Sequence, residues 1–269
     1  MNLSKKNILL SNDDGIDSPG LWAAAAALSE LGHVTIAAPR DHMSATGRGR
    51  QKGLDGVITK KQLEINGEMW DVFAVSGSPS QSVAHGILEL SPRKPDLVVS
   101  GINFGENLGS DMTLSGTVGA AIEGASLGVP ALAISQQILV ESWDKYHEDV
   151  EFSISAYFTK YFAQLILNNT LPNDVHVVNV VVPANATKKT PWKVSPQAST
   201  RYFRPHIIRE GKLEEEGIIG AHILDESEFS SGNDIHTVRV EKMVSVTPLS
   251  INLTSRVDIT QLENFLRSE

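Results

Sequence analysis

The chain has 269 residues, a formal net charge of -9 at pH 7 and no cysteine. The missing cysteines exclude disulfide bonds, thiol nucleophiles and cysteine-ligated zinc, and the acidic balance argues against binding to nucleic-acid duplexes, which depends on clustered lysine and arginine. There is no basic-then-apolar leader and no run near the ~20 apolar residues that a membrane-spanning helix needs, so we expect a cytoplasmic protein that does not enter the membrane.

Strands and helices alternate through the first two thirds of the chain. Apolar runs predict strands at residues 8–10, 34–38, 72–75, 97–99, 132–134 and 177–182. Helical spacing of apolar residues predicts helices that begin near residues 19, 79 and 116, with a longer helix over residues 154–165; the first is expected to end at Gly32 and the third at Gly128. This alternation predicts a Rossmann-like, doubly wound α/β core over residues 1–183, with a mostly parallel sheet and helices on both faces.

The pattern changes in residues 184–269, which we expect to form a hairpin-rich C-terminal extension. Strand-prone runs at residues 201–209 and 217–224 flank an acidic turn at 214–216, residues 236–246 read as extended, and residues 260–266 predict a short terminal helix. A lone hairpin is marginally stable in water, so it must pack on the main sheet or on another subunit. Because identical chains usually associate with two-fold symmetry, we predict a homodimer or a dimer of dimers held partly by this hairpin.

The tetrapeptide Asn12-Asp13-Asp14-Gly15 directly follows the first predicted strand. Side chains of neighbouring strand residues point to opposite faces, so the two aspartates can share one site only if the chain has already turned into a loop, which Gly15 permits. Ligands of α/β proteins bind at such strand ends, and Mg²⁺ or Mn²⁺ prefers carboxylate oxygens. The alternative is a solvated turn, which Asn, Asp and Gly commonly form.

A second candidate site follows the strand at residues 97–99. Residues 100–109 predict a long loop rich in glycine and asparagine, and Ser115-Gly116-Thr117 precede a helix. Glycines let the backbone approach a ligand, asparagine oxygens can ligate a cation, and the helix start presents N–H groups and hydroxyls to a phosphate. This is not a P-loop, because the Gly-Lys-Ser/Thr ending is missing. A loop made only of turns is the alternative, but loops of this length are uncommon in compact domains unless functional.

A third loop, residues 38–47, follows the second strand and ends at the same sheet edge. Ser44 is a candidate cation ligand or phosphate donor, and the arginines in and after this loop are candidate anion-binding groups. The residues alone favour an ordinary solvated connection. His42 and His85 are interpreted as surface or core-edge residues, because nothing marks a second member of a catalytic triad.

The combined pattern resembles the survival protein SurE family of metal-dependent nucleotide phosphatases, almost from end to end. The matching stretches are residues 8–20 (ILLSNDDGIDSPG), Ala38-Pro39 with Ser44, 96–109 (DLVVSGINFGENLG), 115–124 (SGTVGAAIEG) and 244–249 (VSVTPL). The resemblance implies that one divalent cation, Mg²⁺ or Mn²⁺, is held by Asp13, Asp14, Ser44 and Asn103. It also implies that Asn12, Asn107, Ser115, Gly116 and Thr117 line a phosphate pocket, and that the C-terminal arm is exchanged between subunits.

The chain departs from the usual pattern of this family next to two of its motifs. Ala45 stands where the family usually has glycine, and Met43 stands where a polar residue is common. The Cβ of Ala45 is expected to narrow the loop that carries Ser44 or to shift its backbone. Residues 76–81 differ from the family's usual Gly-Thr-Pro followed by an acidic residue, which bears on substrate preference.

The function predicted from this pattern is hydrolysis of a nucleoside monophosphate, with 3'-nucleotidase and exopolyphosphatase activities left open. Asp13 and Asp14 would hold the cation that polarises a phosphoryl oxygen, while residues 115–117 would neutralise charge on the phosphoryl group. Asp13 is either a direct nucleophile or a base toward water; the adjacent Asp-Asp pair lacks the Asp-x-Asp spacing of aspartyl-phosphate enzymes, which favours water.

Two other classes of function are compatible with such a pocket. The chain could be a sensor that binds a metal ion and a nucleotide without turnover, because a sequence reports ligands rather than rates. A nucleotide-cofactor oxidoreductase is disfavoured, because no Gly-x-Gly-x-x-Gly follows the first strand and the carboxylates there would repel a pyrophosphate.

Overall fold

The computed structural model describes residues 5–139 and 150–268. Within these residues the chain forms eleven strands. They are β1 (Lys6–Ser11), β2 (Gly32–Pro39), β3 (Ile58–Ile65), β4 (Glu68–Val75), β5 (Leu97–Phe104), β6 (Ala131–Gln136), β7 (Val177–Val182), β8 (Trp192–Val194), β9 (Phe203–Ile208), β10 (Ile218–Ile223) and β11 (Val244–Leu249).

The main sheet of the described residues has nine strands in the order β3-β4-β2-β1-β5-β6-β7-β11-β8. The run from β4 to β7 is parallel throughout, whereas β3 is antiparallel to β4 and β11 is antiparallel to β7. β9 and β10 form a separate antiparallel hairpin. The predicted mostly parallel α/β sheet with a C-terminal hairpin is therefore confirmed, and residues after 183 also add β8 and β11 to the main sheet.

The described residues form six α-helices. They are α1 (Pro19–Leu28), α2 (Pro79–His85), α3 (Gly116–Ser126), α4 (Ser153–Asn168), α5 (Asp234–Arg239) and α6 (Ile259–Arg267). Helices cover both faces of the sheet: α1 and α4 pack on one face, and α2 and α3 pack on the other. Alternation along β1 shows the two layers: Ile8 and Leu10 pack in a cluster with α1 and α4, whereas Leu9 packs with α2 and α3. Of the helices that the structure describes, none combines the length and the apolar character needed to cross a bilayer.

The order of the central strands creates a cleft at one edge of the sheet. β1 and β5 are neighbours, but the connection after β1 leads to β2 on one side and the connection after β5 leads to β6 on the other, so the two connections depart in opposite directions. The loops after β1, β2 and β5 all begin at the carboxyl edge of the parallel strands. In doubly wound sheets this is the position at which ligands bind.

Two predicted boundaries are wrong. α1 ends at Leu28, and Gly32 instead begins β2, where an added Cβ would lie 2.2 Å from the carbonyl oxygen of Lys6. This glycine therefore permits two strands to approach closely rather than ending a helix. Residues 236–246 are not extended throughout, because α5 occupies Asp234–Arg239; the side chain of Asn233 accepts the backbone N–H of His236 and begins this helix.

Strand β3 was not predicted. It forms a hairpin with β4 across the turn Asn66-Gly67, whose φ angles of 52° and 80° are typical of a two-residue hairpin turn. The Asn-Gly dipeptide was the available signal. The strand alternates between exposed and partly buried residues. Its exposed residues are mostly polar or charged, so it does not form the apolar run from which the other strands were predicted.

Candidate functional site

The acidic loop turns away from β1 as predicted. β1 ends at Ser11, the side-chain amide of Asn12 donates to the carbonyl oxygen of Gly15 at 3.0 Å, and Gly15 has a φ angle of 96°. Asp13 and Asp14 are 3% and 6% exposed. Two adjacent carboxylates are thus buried together at the carboxyl edge of the sheet.

Asp14 is oriented by the end of β5. Its Oδ2 accepts the backbone N–H of Phe104 at 2.9 Å, and its Oδ1 lies 3.7 Å from Nε2 of His42. The side chain of His42 is 43% exposed, in agreement with its interpretation as a surface residue. Its position beside Asp14 was nevertheless missed, because the pairing joins two separate loops.

Asp13 lies against the beginning of α3. The Thr117 hydroxyl donates to Oδ1 of Asp13 and also lies 3.1 Å from Oδ1 of Asn103. An added Cβ at Gly116 would lie 2.7 Å from Cβ of Asp13, so only glycine permits this approach. Thr117, which was expected in the phosphate pocket, therefore contacts two of the residues expected to bind the cation.

The environment of Asp13 disfavours a second negative charge. Burial, followed by the neighbouring charge of Asp14, raises the pKa of Asp13 to about 7, although hydrogen bonds from the hydroxyl and backbone N–H of Thr117 oppose the shift. A divalent cation between the carboxylates would remove this penalty by supplying the missing positive charge.

Asn103 belongs to β5 rather than to a loop. The prediction that residues 100–104 are loop is wrong, because pairing with β6 continues to Phe104 after an irregularity between Ser100 and Asn103. The side-chain amide of Asn103 donates to the carbonyl oxygen of Gly105 at 2.7 Å, which turns its Oδ1 toward Thr117. The oxygen is thereby directed to the side of the cleft that contains Asp13.

Asn107 has a fixed backbone and a side-chain donor without a protein partner. Its N–H donates to the Ser135 hydroxyl at 3.2 Å, and its carbonyl oxygen accepts the side-chain amide of Asn179 at 3.1 Å. Among the described residues, Nδ2 of Asn107 and Oδ1 of Asn12 are buried without hydrogen-bond partners. Such buried polar atoms are expected to be satisfied by a ligand, an ion or water.

The first turn of α3 provides the other expected phosphate contacts. Ser115 caps the helix, because its hydroxyl oxygen accepts the N–H of Val118 at 3.1 Å. Gly116 and Thr117 follow as the first two helical residues. The positive end of the helix dipole therefore faces the cleft beside Asp13.

Ser44 lies at the rim of the same cleft. Its hydroxyl makes a hydrogen bond with Nε2 of His42, and the N–H of Met43 donates to the carbonyl oxygen of Asp13 at 2.8 Å. Ala45, where the family usually has glycine, has a φ angle of 58°, a value that favours glycine. The loop is thus tied to Asp13 through its backbone, and the Ser44 hydroxyl pairs with His42, which lies beside Asp14.

The candidate anion-binding arginines pair with carboxylates. Arg40 in the loop pairs with Asp41, and Arg48 and Arg50 just after the loop pair with Glu123. Nε of Arg48 lies 2.6 Å from Oε2 of Glu123, and Nη2 of Arg50 lies 3.0 Å from Oε1. The Glu123 side chain is 4% exposed on α3, so the pairs fasten the loop to that helix. His85 lies on α2, where its imidazole pairs with Glu89.

The donor set suits a hard cation. In the part of the chain that the structure describes, no group of three or more His, Cys, Asp and Glu side chains is arranged to bind a metal ion. A cation here would instead be held by two carboxylates with amide and hydroxyl oxygens, which are the ligands that Mg²⁺ and Mn²⁺ accept.

The chain is similar to known proteins over almost its whole length. A family model described as survival protein SurE matches residues 8–204. The 5'-nucleotidase SurE of Thermococcus gammatolerans is 39% identical, with 97% of this chain and 96% of that protein covered. The 5'-nucleotidase SurE of Archaeoglobus fulgidus is also 39% identical, with 96% of each covered.

The structural comparison extends over the same length. The crystal structure of the SurE protein from Aquifex aeolicus matches with a TM-score of 0.74 and 31% sequence identity, and 97% of this chain and 99% of that chain are covered. Shared fold, shared motifs and near-complete coverage in both directions establish the relationship. The chain belongs to the survival protein SurE family.

Proposed function

We propose that this protein is a divalent-metal-dependent phosphomonoesterase that hydrolyses nucleoside 5'-monophosphates to nucleoside and phosphate. The observation that carries the proposal is the buried pair Asp13 and Asp14 at the end of β1, placed beside the first turn of α3. Relatives of up to 39% identity over nearly the whole chain are named 5'-nucleotidase SurE.

Asp13, Asp14, Asn103 and Ser44 are the proposed ligands of one Mg²⁺ or Mn²⁺. The shared contact of Thr117 with Asp13 and Asn103 supports the grouping of these two oxygen donors. Ser44 joins the set after turning its hydroxyl from His42 toward the carboxylates. A cation bound there would polarise a phosphoryl oxygen and lower the pKa of a water molecule.

The phosphoryl group is proposed to bind between Asn107 and the start of α3. The buried Nδ2 of Asn107 is a donor without a protein partner in the described residues, and Ser115, Gly116 and Thr117 bring the positive end of the helix to the same cleft. Asn12 completes the pocket from the β1 side. These groups oppose the charge that spreads over the phosphoryl oxygens during transfer.

Water is the proposed nucleophile, and Asp13 is a ligand that orients it. Asp13 accepts hydrogen bonds from both the hydroxyl and the backbone N–H of Thr117. These contacts hold the carboxylate as an acceptor in one orientation. A carboxylate that attacked phosphorus would have to leave this arrangement.

The contacts proposed for the pocket are all to the phosphoryl group and none is to the alcohol attached to it. We therefore include nucleoside 3'-monophosphates and inorganic polyphosphate among the substrates to be tested. We also propose a cytoplasmic location, since the absence of cysteine suits a reducing compartment.

The decisive experiment measures phosphate release from nucleoside 5'- and 3'-monophosphates and from polyphosphate, with Mn²⁺, Mg²⁺ or a chelator. Asp13→Asn and Asp14→Asn are expected to reduce turnover at least a hundredfold, because each removes a charge from the cation site. Asp96→Asn is the matched control: Asp96 also accepts a backbone N–H, from Asn7, but precedes β5 at the opposite edge of the sheet.

Two results would contradict the proposal. Undiminished turnover after exhaustive chelation would overturn the metal dependence. Nucleotide binding without release of phosphate under any of these conditions would favour a sensor on the same fold.

The assembly is proposed to be a homodimer or a dimer of dimers that uses the β9–β10 hairpin. Four isoleucines of this hairpin, Ile207, Ile208, Ile218 and Ile219, are 52–72% exposed. A two-stranded hairpin with exposed apolar side chains gains stability by packing against another surface. A second copy of the chain supplies that surface in the proposed assembly.

A further inference from the structure

The loop that carries Asn107 makes several hydrogen bonds with the C-terminal part of the chain. We call residues 105–111 the Asn107 loop; it follows β5, which carries Asn103, and includes the first three residues of the short 3-10 helix Gly109–Thr113 that precedes Ser115. Several of its contacts come from residues 197–239, which lie far away in sequence. These contacts hold the second half of the loop, whereas Ser135 and Asn179 hold the backbone at Asn107 itself.

Asp234 is the central anchor. Its side chain is fully buried, its Oδ2 accepts the N–H of Gly109 at 2.8 Å, and its Oδ1 accepts the N–H groups of Ala198 and Ile235 at 2.8 and 2.9 Å. A carboxylate accepts hydrogen bonds at both oxygens. An asparagine at this position would replace one of these oxygens with an NH2 group, which would face a backbone N–H donor and could not accept its hydrogen bond. One side chain thereby joins the Asn107 loop, the segment before β9 and the start of α5.

Contacts other than the one with Asp234 also restrict the backbone at Gly109. Gly109 has a φ angle of 57°, and an added Cβ would lie 2.5 Å from the carbonyl oxygen of Thr200. The neighbouring N–H of Ser110 donates to that same oxygen at 2.9 Å, and Gln197 donates to the carbonyl oxygen of Gly109 at 3.0 Å. The loop therefore lies directly on the C-terminal segment.

Two carboxylates of the loop itself also join it to the C-terminal segment, and here the loop supplies the acceptors and the C-terminal segment supplies the donors. Oδ2 of Asp111 accepts the N–H groups of Tyr202 and Phe203 at 2.9 and 2.8 Å. The buried Glu106 accepts the Tyr202 hydroxyl, which also accepts a hydrogen bond from Arg239 at 3.1 Å. All three anchors converge within a few residues of Asn107.

We propose that Asp234 is a positioning residue for phosphate binding: it holds the backbone at Gly109 so that the Asn107 side chain and the start of α3 face the phosphoryl group together. This inference rests on the proposed phosphate pocket. The described hydrogen bonds of the Asp234 carboxylate come from Gly109, Ala198 and Ile235, none of which is a proposed metal ligand or phosphate-pocket residue. Its loss should therefore weaken phosphate binding and leave cation binding intact.

The experiment compares Asp234→Asn with the wild-type protein and with Asp96→Asn, another carboxylate that accepts a backbone N–H but lies outside the site. Three quantities are measured on the full chain: inhibition of hydrolysis by inorganic phosphate, Mn²⁺ affinity by calorimetry, and hydrogen–deuterium exchange of residues 105–113. For Asp234→Asn we expect the inhibition constant for phosphate and the KM to rise about tenfold. Its Mn²⁺ affinity should stay within about twofold, and exchange in the Asn107 loop should become faster.

Unchanged phosphate inhibition and KM in a folded Asp234→Asn protein would overturn the proposal, as would a loss of Mn²⁺ affinity equal to the loss of phosphate affinity. If this variant does not fold, Asp111→Asn tests the same loop from an anchor that is 11% exposed, with the same expected split. A wild-type protein that neither hydrolyses nucleotides nor binds phosphate would refute the proposed function. In that case faster exchange of residues 105–113 would still support the anchoring role, and unchanged exchange would overturn it.

Discussion

The contact between α3 and Asp13 predicts a large functional effect for the small substitution Gly116→Ala. The added Cβ would lie 2.7 Å from Cβ and 2.8 Å from Oδ2 of Asp13, and 3.0 Å from the Thr46 hydroxyl. Carbon atoms in contact normally lie about 3.5–4.0 Å apart. Either Asp13 or the first turn of α3 must therefore move by roughly 1 Å.

That displacement affects function more than folding. Overpacking in a core lowers the free energy of unfolding by about 1–3 kcal/mol. Misplacing a catalytic group by about 1 Å reduces the rate about a hundredfold. We therefore expect Gly116→Ala to lower kcat/KM about a hundredfold and Mn²⁺ affinity at least about tenfold, since the displaced carboxylate is a proposed ligand.

Gly124→Ala is a matched control on the same helix. Its Cβ would lie 2.7 Å from Cγ2 of Val98, so the overlap is equal in size but falls on the packing between α3 and β5. Alanine in the helix interior regains up to about 1 kcal/mol of helix propensity, so we expect a net loss of about 0–2 kcal/mol. Kinetics and Mn²⁺ affinity of the folded protein should stay within about twofold of the wild type.

Calorimetric Mn²⁺ titration, nucleotidase kinetics and thermal unfolding of the metal-free proteins distinguish the two variants. The reasoning is refuted if Gly116→Ala retains wild-type Mn²⁺ affinity and turnover. It is also refuted if Gly124→Ala loses both to the same extent, because the effect would then follow helix packing rather than the position of Asp13.

Four further predictions follow from other contacts. Thr117→Val should reduce kcat/KM by a factor equivalent to about 1–3 kcal/mol of transition-state stabilisation and also weaken Mn²⁺ binding, because the lost hydroxyl contacts Asp13 and Asn103. Unchanged calorimetric affinity would show that this hydroxyl does not orient the two proposed ligands. Ala45→Gly should raise the free energy of unfolding by up to about 1 kcal/mol, since φ at this position is 58°; denaturant titration that shows destabilisation would contradict this. Burial raises the pKa of Glu106, so the folded state holds the proton of this carboxyl more tightly than the unfolded state does. The free energy of unfolding should therefore fall as pH rises from the ordinary carboxyl pKa to the raised one. Unfolding measured at successive pH values should show a smaller fall for Glu106→Gln over this pH range. Replacing residues 206–220 with a short Gly-Ser bridge should shift the proteins toward monomers in light scattering, and an unchanged mass per particle would argue against the hairpin interface.

Local chemistry made much of the fold predictable. The apolar run at 177–182 became β7 with the same bounds, and Ser78 and Gln81 form the reciprocal cap that their spacing predicted. The C-terminal hairpin and terminal helix were also predicted from short-range patterns. These features depend on residues within one or two turns of each other, which is the range that a single sequence describes.

The relations between the loops of the site were not predictable in the same way. Thr117 and Asp13 are 104 residues apart, and Gly109 and Asp234 are 125 residues apart, so their contacts follow from the order of the strands and not from any local pattern. A motif assigned Thr117 to the phosphate pocket, whereas its hydroxyl lies between two of the proposed cation ligands.

Ala45 shows how the surroundings of the site override local preference. A residue with a Cβ loses about 1–2 kcal/mol in the left-handed region, yet the loop keeps this conformation. Backbone hydrogen bonds hold it on both sides: Met43 donates to the carbonyl oxygen of Asp13 at 2.8 Å, and Gly47 donates to that of Leu114 at 2.9 Å. The two anchors lead to the acidic loop and to the segment before α3. These two contacts, which bring Ser44, Asp13 and the start of α3 into one cleft, thus impose the conformation of Ala45. Backbone strain is expected at a position where function requires a particular conformation.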